Sequence, residues 1–383
     1  MAKPRIRFGI IGLGLMGREF ASAVGRWAHL TQSLGQPEII AICDTNEGLF
    51  PWYTESIPAI SQSTTDYHEL LSNPDVDAVY CAIPHSLHKS VYIDILKSGK
   101  HLLGEKPFGI DLEANQAINQ EILKHPELVV RCASEFPYYP AVSKIMSEVS
   151  KGDLGTILQI EAGFLHSSDI NPQKVINWKR MIHINGEYGC MGDLGMHVLH
   201  VPFRLGFRPS NVFAQLQNVV RERPDATGKK VPCETWDNAT LHCDVKTEDG
   251  SFPMTLKTWR IAPGETNTWY IRIFGSKKSF MFSTKEPRTF YSMVYDSGAP
   301  QQWCREDLGY SPVFPTITGG IFEFGFTDSI LQMWAAFIDE LCGGDPGLFA
   351  CVSPKEVGDS HKLFTAALES KKSGAVIDID WSS

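Results

Sequence analysis

The period of the apolar positions changes partway along the chain, and the change divides it into two kinds of structure. Residues 6–11 form a short continuous apolar run, suited to a strand buried on both faces. Met16, Phe20, Val24 and Trp27 then recur at helical spacing, and residues 38–43 form a second apolar run. The alternation continues with a short helix at 66–72, a buried strand at 78–83, an amphipathic helix at 86–98 and another strand at 101–104. Strands alternating with helices predict a parallel, doubly wound sheet. From Thr156 onward the pattern is β-rich. Runs at 157–164, 211–220, 238–245, 252–261 and 268–274 include several that alternate apolar with polar, as in an antiparallel sheet with one covered face. Residues 322–341 predict a long helix stopped by Gly343-Gly344-Asp345-Pro346, and residues 353–370 a last one. The polar stretch 222–230 reads as a hairpin loop. The stretch 287–320, rich in proline, glycine and aromatics, reads as a substrate lid or an oligomer arm.

A chain of 383 residues exceeds what one hydrophobic core usually spans. The expected division is an N-terminal domain over 1–133 and a substrate-binding and oligomerisation domain over 134–383. Composition adds exclusions. The net charge of −9 comes from interspersed acids and bases, so no basic stripe is available for nucleic acid and no polybasic segment for an anionic membrane. No apolar stretch approaches the length of a membrane span. The nine scattered cysteines contain no C-x-x-C pair, which fits a reducing compartment, and a cytoplasmic location is expected. One pattern imitates a secretion signal: Lys3, Arg5 and Arg7 precede the apolar residues 8–16, and Ala21-Ser22-Ala23 resembles a cleavage site. Three glycines interrupt that run, and they have a better explanation.

Gly12-Leu13-Gly14-Leu15-Met16-Gly17 is a G-x-G-x-x-G turn between a strand and a helix. Gly12 permits the tight turn, Gly14 lets the backbone, with Leu15 and Met16 at the helix start, approach a pyrophosphate, and Gly17 lets helix and strand pack closely. Asp44 ends the second strand, where a carboxylate accepts from ribose hydroxyls and repels a 2′-phosphate. NAD is therefore expected over NADP. In such sheets ligands gather outside the C-terminal strand ends, where residues 84–88 and 105–107 would emerge.

Those segments carry a family resemblance. Ala82-Ile83-Pro84-His85-Ser86-Leu87-His88 and Glu105-Lys106-Pro107-Phe108, followed by Phe136-Pro137-Tyr138-Tyr139-Pro140-Ala141, Gly152-Asp153-Leu154-Gly155 and Gly192-Asp193-Leu194-Gly195-Met196-His197, resemble the glucose-fructose oxidoreductase and inositol dehydrogenase family. The resemblance covers roughly residues 5–205 by motif. It implies a Rossmann domain joined to an α/β domain with a large, mostly antiparallel sheet, substrates among sugars, cyclitols and their derivatives, and a homo-oligomer, dimer or tetramer, formed through that sheet. It also implies a catalytic group of Lys106, Asp193 and His197, with Pro84, His88, Glu105 and Lys106 at the cofactor and Trp178 and Arg180, in the segment Trp178-Lys179-Arg180, near the substrate. Two positions depart from the family pattern, His85 where asparagine is common and His200 where aspartate is common, and the lead-in 186–192 is irregular.

The residues suit alcohol oxidation on their own chemistry. A histidine titrates near neutrality and can take the hydroxyl proton. Asp193 lies four positions before His197, which on an α-helix puts both on one face, where the carboxylate orients the imidazole or holds a substrate hydroxyl. An ammonium such as Lys106 stabilises a developing alkoxide, with Glu105 supporting it. His85 and His88 either line the nicotinamide side or cap the helix that follows. No metal is expected, since the D-x-x-x-H pair lacks an obvious third ligand. The leading expectation is an NAD-dependent oxidoreductase of a sugar or cyclitol. A redox-neutral NAD-dependent glycosidase and a non-catalytic nucleotide-sensing regulator remain as alternatives.

Overall fold

The computed structural model describes residues 3–248 and 250–382. They form two compact units. The first contains everything described up to Gly109, then Glu113–Tyr138 and Tyr310–Lys355; the second contains Ile110–Leu112, Tyr139–Gly309 and everything from Glu356.

The first unit is built on six parallel strands in the order Gln62–Thr64, Gln36–Cys43, Arg5–Ile11, Ala78–Cys81, His101–Gly104 and Val130–Cys132. The doubly wound Rossmann sheet expected from the alternating pattern is present. The order reverses direction beside Arg5–Ile11, because the chain runs outward from it first on one side and then on the other. Central strands read as unbroken apolar runs because both faces are covered: Ala78, Val79, Tyr80 and Cys81 are all buried.

The single division between 133 and 134 differs from the arrangement found. The helix Phe326–Leu341 belongs to the first unit. Its Trp334 stacks on Phe20 at 3.6 Å between ring centroids and meets Phe8 and Tyr80 edge-on. Gln332 fixes the preceding segment by pairing with both the N–H and the carbonyl of Phe314 (2.6 and 2.9 Å). The helix is apolar over most of its circumference, and a helix of that kind must be buried. Periodicity predicts such a helix but not which core receives it.

The second unit carries nine strands in the order Cys304–Asp307, Thr289–Val294, Lys278–Ser283, Asn267–Gly275, Ile157–His166, Gly250–Trp259, Asn238–Thr247, Pro209–Gln217 and Ile377–Asp378. Neighbours are antiparallel except Ile157–His166 and Gly250–Trp259. The mostly antiparallel sheet matches the expectation. The stretch 222–230 closes a small hairpin of Glu222–Pro224 with Lys230–Pro232. Where the sequence suggests a lid or an arm over 287–320, Thr289–Val294 and Cys304–Asp307 are the two outermost strands at one end of the sheet, and the residues from Tyr310 join the first unit.

Candidate functional site

In the first unit each motif glycine has a different reason to be glycine. Gly12 has φ 95°, and a Cβ there would lie 2.3 Å from the Ala82 carbonyl oxygen. A Cβ on Gly17 would lie 2.5 Å from the Gly12 carbonyl oxygen and 2.7 Å from the Tyr53 hydroxyl. A Cβ on Gly14 would meet nothing within 4 Å. The protein thus leaves open space at Gly14, at the N-terminus of Leu15–Gly25, where helix N–H groups favour an anion. Leu15 is exposed, while Met16 packs against the core, so their contribution at this end is backbone.

Asp44 pins the loop. Its Oδ2 accepts from the Leu13 N–H at 2.8 Å and its Oδ1 from the Asn46 N–H at 2.9 Å. A carboxylate has about four acceptor positions, so further donors can be taken. Behind the loop the Tyr53 hydroxyl donates to the Leu13 carbonyl (3.2 Å), a support the sequence did not single out. An open cradle at a helix N-terminus with an acid at the end of the neighbouring strand fits a dinucleotide.

Pro84 ends the turn after Ala78–Cys81, and Glu105 follows the adjacent strand. Glu105 accepts from the Tyr80 hydroxyl at 2.7 Å, and its carbonyl accepts from the Tyr92 hydroxyl at 2.9 Å. Lys106, half-buried, precedes Pro107 through a cis peptide bond. Phe108 then holds φ 65°, an unfavourable conformation for an aromatic residue, which the surroundings over-determine. Its ring is fully buried against Tyr92, and the Asn115 side-chain amide donates to its carbonyl at 3.0 Å.

His88 corrects an expectation. It is fully buried and stacked on Tyr92. Its Nδ1 accepts from the Gly109 N–H (3.3 Å), which leaves Nε2 protonated to donate to the Ile83 carbonyl (3.0 Å). It ties the two loops together from inside the core, a different place from the cofactor contact expected of it. His85 is 2% exposed beside it. Glu135 is a group that the sequence reading missed. Burial and the charge of Glu105 push its carboxyl up to about 7, with Lys106 opposing the shift.

In the second unit the register gathers charge at one sheet end. Asn238 pairs with Trp259, and Trp259 with Leu165. Asp237, Arg260 and the loop that carries Asp169 therefore emerge side by side. Arg260 donates through Nε to Asp169 at 3.0 Å and pairs through Nη1 with Asp193. Arg180 pairs with Asp169 and Asp237, and Lys174 reaches Asp169 at 3.0 Å. Burial raises the pKa of Asp169, but Arg260 and Arg180 outweigh it and hold the carboxyl well below its ordinary range.

Arg180 is the second correction. It is 0% exposed, with carboxylates on two sides, so it holds the fold rather than substrate. Trp178 is half-buried and carries the Lys179 ammonium 5.6 Å from its ring centre. Lys179, at 30% side-chain exposure, lies 3.0 and 3.2 Å from the two Asp193 oxygens. Asp193 itself is 1% exposed. It sits in a π-helical turn, Met191–Gly195, and His197 lies in the α-helix that follows, Met196–Arg204, so regular α-helical spacing does not run between them. His197 is buried against Phe164, and its carbonyl accepts from the Trp269 indole at 3.0 Å.

The unusual family positions have structural roles. His200 is fully buried, and burial with Arg204 pulls its pKa down to about 3, which leaves it neutral. Gly186 and Gly189 both have positive φ, and Cβ atoms there would strike the Ile110 carbonyl oxygen at 2.5 Å and the Trp236 nitrogen at 2.6 Å. No helix among the described residues is long and apolar enough to cross a membrane.

Known proteins share the fold. The levoglucosan dehydrogenase of Pseudarthrobacter phenanthrenivorans is 26% identical over 58% of this chain and 57% of its own length, so the match spans little more than half of that relative. The glucose-6-phosphate 3-dehydrogenase of Bacillus subtilis is 24% identical over 77% of this chain and 80% of its own. A solved structure of levoglucosan dehydrogenase in complex with NADH superposes with a TM-score of 0.88 at 21% identity, covering 98% of this chain and 99% of that one, a likeness of fold. Residues 6–131 match the sequence model described as an oxidoreductase family with an NAD-binding Rossmann fold. The match to that family is thus confined to the NAD-binding Rossmann part of the chain, about a third of its length.

Proposed function

We propose that the chain is an NAD-dependent dehydrogenase or reductase that interconverts a secondary alcohol and a ketone on a sugar, a cyclitol or a derivative of one. The observation that carries this reading is the glycine turn, tightly packed at Gly12 and Gly17 and open at Gly14, with Asp44 beside it. The sugar class rests on the relatives' names, which include levoglucosan, glucose-6-phosphate and inositol dehydrogenases. The backbone from Gly12 to Gly17 holds the pyrophosphate, Asp44 the ribose, and Pro84 and Glu105 line the nicotinamide end. When bound, the nicotinamide supplies the hydride acceptor or donor.

The chain's own groups handle the proton and the charge. His197 accepts the hydroxyl proton during oxidation and returns it during reduction. The Lys106 ammonium stabilises negative charge on the reacting oxygen. Asp193 and Trp178 serve the substrate side. The buried Asp193 does so through its cations, since its carboxylate already has Lys179 and Arg260 against it.

The test is NADH absorbance during incubation with NAD and a panel of inositols, aldoses and glycosides, with products analysed in parallel. NADH formation with one compound class is expected. Lys106→Ala and His197→Ala should then each cut turnover by about a hundredfold, with NAD affinity nearly intact. Wild-type rates in both would sink the role assignments, and glycoside cleavage without NADH would replace the dehydrogenase by a redox-neutral enzyme.

A further inference from the structure

We infer that Arg260 is a positioning residue for the proposed reaction: from its buried place behind Asp193 it fixes the Asp193 carboxylate, which in turn aims the half-exposed Lys179 ammonium at the substrate. The inference rests on the dehydrogenase reading for its consequence in turnover, but its structural part stands by itself.

Exposure orders the groups. Asp193 is 1% exposed and Arg260 7%, while the Lys179 side chain reaches 30%. A carboxylate so enclosed meets little solvent, and of this pair it is the lysine that faces outward. The two Asp193 oxygens have different neighbours. Oδ1 lies 3.0 Å from Lys179, and Oδ2 faces both Lys179, at 3.2 Å, and Arg260. Two cations on a buried carboxylate keep it ionised, which removes it as a proton acceptor and makes it a fixed negative end against which an ammonium is oriented.

Arg260 is itself immobilised. Its Nε donates to Asp169, and its backbone N–H donates to the Asp237 carbonyl at 2.9 Å. Asp169 and Asp237 are joined through Arg180, so charges alternate from Asp237 through Arg180, Asp169, Arg260 and Asp193 to Lys179. The outer end is held as well. The Lys179 carbonyl accepts from the Thr235 hydroxyl at 2.8 Å, and the Arg180 carbonyl from the Glu234 N–H at 2.9 Å. Only an arginine can donate from Nε to one carboxylate and from Nη1 to another in this geometry. A lysine at 260 keeps the charge and loses one of the two bonds.

The full-length protein, labelled with 13C at aspartate carboxyl carbons, separates the two parts of the inference. The resonance absent from Asp193→Asn should stay at its ionised position from pH 8 to 4.5 in the wild type and in Arg260→Lys, and should titrate within that window in Arg260→Met. On whichever compound the wild type oxidises, Arg260→Met should lose at least tenfold in kcat with the KM for NAD within twofold, Arg260→Lys should recover most of the loss, and Lys179→Met should chiefly raise the KM for the sugar. An Asp193 carboxyl that titrates alike in wild type and Arg260→Met, or an Arg260→Met enzyme with wild-type kcat, overturns the inference. A wild type silent on every compound overturns the dehydrogenase reading instead, and the carboxyl titration then decides the clamp alone.

Discussion

The two units bury carboxylates in opposite ways. In the first, Glu135 and Glu105 lie in the core near one lysine, Lys106, and a tyrosine hydroxyl donates to Glu105. In the second, Asp169, Asp193 and Asp237 are enclosed with Arg180, Arg260, Lys174 and Lys179 against them. Burial penalises the charged form in both places. Where cations are few the penalty wins, and Glu135 rises to about 7; where they surround the acid the pairing wins, and Asp169 falls. Glu135 can exchange a proton near neutrality. The second cluster is held together by its ion pairs and serves as scaffold.

The largest effect should come from breaking the locked cluster. Arg180→Met removes the cation shared by Asp169 and Asp237 and leaves both carboxylates buried. The expected loss is about 3–5 kcal/mol, the usual cost of removing one partner of a buried pair. Thermal unfolding measures it. An unchanged Tm would mean that solvent or the remaining cations already compensate, and the contrast between the clusters would be weaker than drawn.

Glu135 tests the other side of the contrast. Its folded pKa is raised from the ordinary 4.5 to about 7, so its contribution to stability is fully present below 4.5 and lost as pH rises through 7. A shift of that size corresponds to about 3 kcal/mol in order of magnitude. Glu135→Gln keeps the shape and removes the titration. The variant should gain stability relative to the wild type between pH 5 and 8, and a stability difference that does not change with pH would show that the carboxyl is not titrating in that window.

What the sequence revealed follows from how local each feature is. The glycine turn, Asp44 and the strand alternation are set by neighbours within a strand, turn and helix, and the pattern shows them directly. The clamp on Asp193 is set by sheet register: Arg260 and Asp169 meet because Gly250–Trp259 and Ile157–His166 run parallel as neighbours, a pairing that no local pattern encodes. Arg180 shows the same limit. Adjacent in sequence to Lys179, it shares a segment that the resemblance places near substrate, yet the chain turns it inward and its neighbour outward. Glu135 carried no signal beyond an acid beside an aromatic motif, although an acid within an otherwise apolar stretch is a cue that a group is buried for a reason.

Asp44 is a third kind of carboxylate, held by the backbone N–H groups of Leu13 and Asn46, and it should give the smallest effect. Asp44→Ala removes both the acceptor for the Leu13 N–H and the proposed ribose contact, so NAD affinity should fall about tenfold, or ~1.4 kcal/mol. NADP should lose less, because the negative charge facing its 2′-phosphate disappears with the side chain. Asp44→Asn separates the two roles: its amide oxygen can still accept from Leu13 and keep the loop in place, while the charge is gone. Fluorescence titration with NAD and NADP gives both constants. A preference that relaxes toward NADP in both variants assigns the selectivity to charge, whereas equal losses for the two nucleotides in Asp44→Ala, with wild-type binding in Asp44→Asn, would reduce Asp44 to a pin for the glycine loop.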